Sequence, residues 1–189
     1  MSFQAYLDTI KLKTGKTPED FKKLAEEKGL LKEGVKAGEI IAWLKKDFDL
    51  GHGHSMALYG TFKASKEAKT LVEDSITKHF SGAKSNWRSH FDELMKKINA
   101  FGNDVSIAPT SSYLSVLRGE RKMAVIQITG ARMDIGIKLK DEKATARFET
   151  AGAWNAMMTH RVKISDPKQL DKELLTWLYN AYEQNAPKQ

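Results

Sequence analysis

Near Phe101-Gly102-Asn103-Asp104 the apolar pattern of this 189-residue chain changes its period. Before that point apolar residues recur at helical spacing, and beyond it they alternate. Phe3, Tyr6, Leu7 and Ile10 stand at i, i+3, i+4 and i+7, one face of a helix. Past the switch, Met133, Ile135, Ile137 and Leu139 alternate with Arg132, Asp134, Gly136 and Lys138, which predicts a half-buried strand. Helices first and strands with short turns afterwards define an α+β chain. The short turns require antiparallel pairing, because parallel strands need long crossovers.

The first third predicts four short helices. Thr17 is a candidate N-cap, with Pro18 at the first helical position and Asp20 three residues past the cap. Phe21, Leu24 and Ala25 form the apolar stripe of that helix, and Gly29 closes it. A third helix is expected over about Ala37 to Asp47. The Gly51–Ser55 turn then starts a fourth, carrying Met56, Ala57, Tyr59 and Phe62. The polar, helix-favouring Ala64–Lys69 marks a domain boundary that a helix can cross, giving domains 1–65 and 66–189.

The second domain opens with two helical stripes: Leu71, Val72, Ile76 and Phe80, then Trp87, Phe91, Leu94, Met95 and Ile98. Strands are expected at Ser112–Leu117, Lys122–Thr129, the Met133–Leu139 alternation, Thr145–Thr150 and Thr159–Ile164. Arg118-Gly119-Glu120-Arg121 is a hairpin turn. Ser165-Asp166-Pro167 is expected to start a closing helix, and Gln184–Gln189 to fray. The predicted architecture is a small N-terminal helical domain, then an antiparallel sheet of about five strands flanked by helices.

With no Cys, the chain has no disulfide framework, thiolate metal site or Cys nucleophile, which suits a cytoplasmic protein. No apolar run is long enough to span a membrane. The opening Met1–Asp8 has no basic stretch followed by an apolar run, so no secretory signal is expected. The net charge of +7 favours anionic partners, a small anionic ligand or nucleic acid, although it is spread over both domains. Gly-rich phosphate loops, His-Glu-x-x-His and Gly-x-Ser-x-Gly are absent, so no catalytic residues are assigned and no cofactor is implied.

Three groups remain as candidate ligand contacts. His52 and His54 lie in Leu50-Gly51-His52-Gly53-His54-Ser55-Met56-Ala57, a glycine-loosened turn. They form a weak metal candidate, with Asp49 as a further oxygen ligand, because a metal site needs three or four ligands. The alternatives are a structural turn, or a roof over a ligand bound elsewhere. The second group, Trp154, Asn155, His160 and Arg161, combines a stacking plate, an amide, an imidazole and a guanidinium fork suited to a planar anion. Its alternative is a loop-to-strand junction plugged by Trp154 and capped by Asn155. The third is a basic stretch between 118 and 147, which includes Arg132 and outnumbers its acids eight to four. With Tyr113 nearby it suits single-stranded nucleic acid, or simply a solvated strand face.

Two stretches resemble families of unknown function. Phe3-Gln4-Ala5-Tyr6-Leu7, the segment Thr14 to Phe21 and Leu50 to Ala57 resemble the DUF4287 domain over residues 1 to about 63. Phe80-Ser81-Gly82, Trp87, the Arg132–Lys140 strand and Gly152 to Val162 resemble the DUF5655 domain over about 70 to 184. The second resemblance implies a module also found joined to nuclease-like domains, a hint of nucleic acid, and neither implies an activity. The leading expectation is therefore a non-enzymatic cytoplasmic binding module for a small anionic ligand or protein partner. Its site would lie between the sheet and the Gly152–Arg161 loop. A nucleic-acid accessory protein is second, and a small enzyme with His160 or His54 as base is third.

Overall fold

The computed structural model describes residues 2–187 and divides after Thr70 into two compact units. Four helices build the N-terminal unit: α1 (Phe3–Thr14), α2 (Pro18–Glu27), α3 (Ala37–Phe48) and the first part of α4 (His52–Lys78). The expected cap is present. Thr17 accepts from the Asp20 backbone N–H, and Asp20 accepts from the Thr17 N–H, closing a capping box with Pro18 in the first turn. Ile10, Phe21, Ala25, Ile40, Trp43, Leu44, Leu58 and Phe62 form the core, with Phe48 edge-on to both Phe21 and Trp43. Met56 lies largely exposed, and Leu58 takes the inward position instead.

The division falls inside α4, so the second stripe is a continuation of this helix. Leu71 is 67% exposed and Val72 is partly exposed; only Ile76, and Phe80 just beyond the helix, reach the core. Arg88, at the start of α5 (Arg88–Asn99), bonds Glu73 (2.5 Å) and Thr77 of α4 and Asp92 of its own helix. These pairs attach the last turns of α4 to the C-terminal unit.

That unit is a six-stranded antiparallel sheet in the order β1 (Val105–Pro109), β2 (Leu114–Arg118), β3 (Arg121–Ile128), β4 (Met133–Ile137), β6 (His160–Ile164) and β5 (Glu149–Thr150). β1 is an addition to the expected strands; its Val105 and Ile107 pack on the core. The Thr145–Thr150 strand shrinks to two residues at the outer edge, so β4 pairs with β6 directly. Helices α5 and α6 (Lys172–Gln184) pack on one face of the sheet, against Leu114, Ile126, Ile135 and Val162 among others. Pro167 starts only a short 3-10 turn, and α6 begins after Asp171, which caps the Leu174 N–H.

The expected fraying at Gln184 does not occur. The Gln184 amide bonds the Lys140 backbone in both directions, Asn185 donates to the Lys138 carbonyl, and Arg121 donates to the Ala186 carbonyl. Residues 188 and 189 lie outside the described residues. Just before this clasp, Tyr182 donates to Asp104 (2.7 Å) and Arg118 donates to the same carboxylate (3.1 Å) while lying 3.8 Å over the Tyr182 ring. A Cβ on Gly102 would run into the Tyr182 hydroxyl.

The Tyr182 hydroxyl, and after it Arg118, hold the Asp104 carboxyl below its ordinary range, and Asp104 in turn raises the Tyr182 phenol. A lowered carboxyl contributes stability above its unfolded value of about 3.9, and that contribution is lost as pH falls through the folded value. Asp104→Asn should therefore lower the melting temperature at pH 7, with the gap to wild type narrowing toward pH 2. Melting curves of both proteins across this range check it; a gap independent of pH would refute the linkage.

Candidate functional site

The functional side chains of the C-terminal unit follow from the pleat of β6. Successive residues in a strand face opposite sides. His160 pairs with Ile137 and Arg161 with Gly136, so the two candidates adjacent in sequence are separated by the sheet. His160 is only 5% exposed and stacks on Phe148 (4.1 Å, 7°), which stacks on Trp177 of α6 (4.4 Å, 13°). Its Nδ1 lies 2.9 Å from the Thr159 hydroxyl. It belongs to the helix-side core and does not join Trp154.

Arg161 points to the other face, where Val125 and Gly136 are its neighbours along the cross-strand row. The loop from Ala151 to Met158 covers this face. Ala151, Met158 and Val125 are buried together, with Trp154 and Tyr113 packed against them. A Cβ on Gly136 would sit 2.7 Å from each of Met158 Cγ, Trp154 Cζ3 and Val125 Cγ2. The missing side chain is therefore the seat of the Trp154 ring. Because the loop lies there, all five residues of β4 are buried, and the half-buried strand of the alternation pattern is covered on both sides.

Trp154 is held by its polar edge as well. Its Nε1–H donates to Gln127 Oε1 (2.9 Å), and the Arg161 guanidinium lies 4.5 Å over its ring. Arg161 Nη2 donates to Asp134 Oδ2 (3.0 Å). Arg132 Nε donates to both Asp134 oxygens (2.9 and 3.2 Å). Asp134 is 2% exposed and is the cross-strand partner of Gln127. Two guanidiniums thus share one buried carboxylate. A buried carboxylate with no partner is strongly destabilising, which is why both arginines matter to it.

Of the predicted residues, Trp154, Arg161 and Arg132 come together. Asn155 accepts from the Met157 N–H (3.0 Å) and shapes the loop. Asp134 and Gln127 were not anticipated. Their sign in the sequence was a lone acid and a lone amide at strand positions facing the Trp154 loop.

His52 and His54 belong to the N-terminal unit. They stand two apart at the start of α4, on different sides of the helix. His52 is exposed; the His54 ring stands edge-on to Tyr6 (5.3 Å, 87°), and its buried Nε2 has no partner among the described residues. Gly53 is helical, and a Cβ there would come within 2.9 Å of the Tyr6 ring, so it serves close packing rather than a loosened loop. Asp49 pairs with Lys13 at 3.0 Å. Among the described residues no three His, Cys, Asp or Glu side chains are grouped to hold a metal ion.

A cleft of about 360 Å3 opens beside the β5 edge, lined by Ala146, Arg147, Glu149, Lys163 and Gln169. Arg147 is committed within the protein: it bonds Asp171 (2.8 Å), Glu173 (2.5 Å) and the Gln169 carbonyl (2.7 Å), and Asp171 raises it above its ordinary value. Lys163 and Glu149 pair at 2.8 Å.

This arrangement sets two guanidiniums around one buried carboxylate, beside an indole. The chain belongs to the DUF5655 family, a domain of unknown function, whose model matches residues 76–185. Residues 2–64 match a second domain of unknown function, DUF4287, so the two families follow one another along the chain. No curated protein and no solved structure matches it. Among the described residues no helix is long and apolar enough to cross a membrane.

Gly136→Ala should unseat the Trp154 ring. Overpacking of this kind costs about 1–3 kcal/mol. Urea unfolding of the full chain should show that loss together with a changed tryptophan emission; wild-type stability in the variant would remove Gly136 as the seat.

Proposed function

We propose that the protein is a non-enzymatic cytoplasmic binding module whose anionic ligand docks on the loop-covered face of the sheet, at Arg132 and Arg161. One observation carries this reading: both guanidiniums are held by the single carboxylate of Asp134, so this cluster of three side chains keeps one positive charge in excess. Arg132 is 42% exposed and, among the described residues, engages only its Nε, which leaves its two terminal nitrogens to form a fork with an oxyanion. The fork is oriented before any ligand arrives, which lowers the ordering cost of binding. The placement of His160 in the core and of His54 against Tyr6 weighs against a histidine base.

A second reading is nucleic acid, favoured by Lys122, Arg132, Arg161 and Lys163 along the same face and by Lys122 lying 5.2 Å over the Tyr113 ring. Salt separates the two, because phosphate-backbone binding weakens steeply with salt concentration.

The test is a thermal-shift panel of small anions, neutral analogues, cations and short oligonucleotides at matched ionic strength. An anion at 100 times its dissociation constant should add about 2.7 kcal/mol of stability. Arg132→Ala should cut the shift by about half or more, the loss that a tenfold weaker affinity brings. A shift by neutral compounds, or one undiminished in Arg132→Ala, would refute the assignment.

A further inference from the structure

The polar atoms left unused on this face are nearly all of one kind. The Gln127 oxygen is taken by the Trp154 indole, which can only donate, so the Gln127 amide has one orientation, with its NH2 free. The Asp134 oxygens are taken by Arg132 and Arg161 and are hidden from solvent. What remains is the Gln127 NH2, the two terminal nitrogens of Arg132 and Nη1 of Arg161, none of which has a hydrogen bond among the described residues, together with Arg161 Nε, which is buried and equally without a partner there. These donors come from β3, from the residue before β4 and from β6. This cluster around Asp134 therefore offers an incoming group donors, which suit an oxyanion.

The shape of the set narrows the choice. A carboxylate presents two oxygens in one plane, and a single guanidinium satisfies both. Donors from three separate places around Asp134 are numerous enough to serve the three terminal oxygens of a tetrahedral phosphate. A phosphodiester offers only two such oxygens and one charge. The surroundings specify the rest of the ligand. Lys163 is the cross-strand partner of Asp134, Glu149 is that of Arg161, and both line the cleft of about 360 Å3. That volume is within the range of small-molecule sites. Glu149, Lys163 and the Gln169 amide nitrogen, which has no hydrogen bond among the described residues, give it donors and an acceptor suited to hydroxyl groups.

We infer that this face binds a small phosphomonoester with a hydroxylated organic part, the phosphate on Gln127, Arg132 and Arg161 and the hydroxyls in the cleft beside Lys163. The inference rests on the anion-binding reading above and names its ligand class.

Calorimetric titration of the full chain at constant ionic strength tests it, with inorganic phosphate, ribose 5-phosphate, ribose, acetate, citrate and a thymidine oligonucleotide as probes. Inorganic phosphate should bind, ribose 5-phosphate at least tenfold more tightly, and ribose and acetate not at all. Arg132→Ala should weaken both phosphates at least tenfold, measured below its own melting temperature, since it also removes one of the two partners of Asp134. Gln127→Glu, which replaces a donor by a carboxylate, should weaken them as much. Acetate or citrate binding as well as phosphate would overturn the phosphate assignment and leave anion binding standing. Equal affinity for phosphate and its ribose ester would overturn the role of the cleft. Binding of the oligonucleotide alone would overturn the monoester in favour of nucleic acid. No binding by any anion would sink both this inference and the reading beneath it.

Discussion

The absence of one side chain, at Gly136, organises the outer half of the C-terminal unit. A strand in the middle of a sheet normally shows its second face to water unless something covers it. Here the indole of Trp154 and the thioether of Met158 occupy the space a Cβ would need, and the loop that carries them closes over β4. Closing that face takes Asp134 out of water, and a carboxylate in that position needs compensation. Arg161, one strand away, and Arg132, two residues earlier, supply it. The polar cluster is thus a consequence of the apolar seat: without the loop, Asp134 would be an ordinary solvated strand residue.

The opposite face has the conventional arrangement and a different kind of order. Two helices cover it, and a ladder of planar groups, His160, Phe148, Trp177 and Arg147, runs from the sheet to α6. Arg147 then ties this ladder to the start of the same helix through Asp171, whose carboxyl it holds below the ordinary range. Stacked rings with a cation at one end are worth more than their buried area alone. This face fixes β6, and β6 in turn aims Arg161 outward. The two faces are coupled through the alternation of one five-residue strand.

The period switch near Phe101, the Thr17 cap, the Arg118–Arg121 hairpin and the closing helix were legible because each rests on local geometry that a few residues determine. β1 was not, because Val105-Ser106-Ile107 is a short alternation ending at Pro109, and its pairing is with a strand the pattern cannot locate. The state of β4 was misjudged for a related reason. Alternation reports which residues are apolar, and burial of Asp134 and Gly136 depends on a loop twenty residues further on. The candidate site was half visible. Trp154 with Arg161 was a sound pairing, since both answer to one ring. Grouping His160 with Arg161 ignored the pleat, which separates neighbours as soon as the strand is known to begin at His160. Cross-strand partners such as Gln127 and Asp134 could not be named without a register, since a shift of one residue exchanges the two faces.

Trp154 makes three kinds of contact at once. Its ring edge fills the Gly136 gap, its face carries Arg161, and its N–H orients Gln127. A group that bound Arg161 and Gln127 would therefore act on both polar partners of the indole and tighten the loop on its seat. Loosening the seat would release Arg161 from the ring and Gln127 from its fixed orientation together. For the ligand proposed above, linkage would require that binding at Arg161 and Gln127 and seating of Trp154 favour one another by the same free energy.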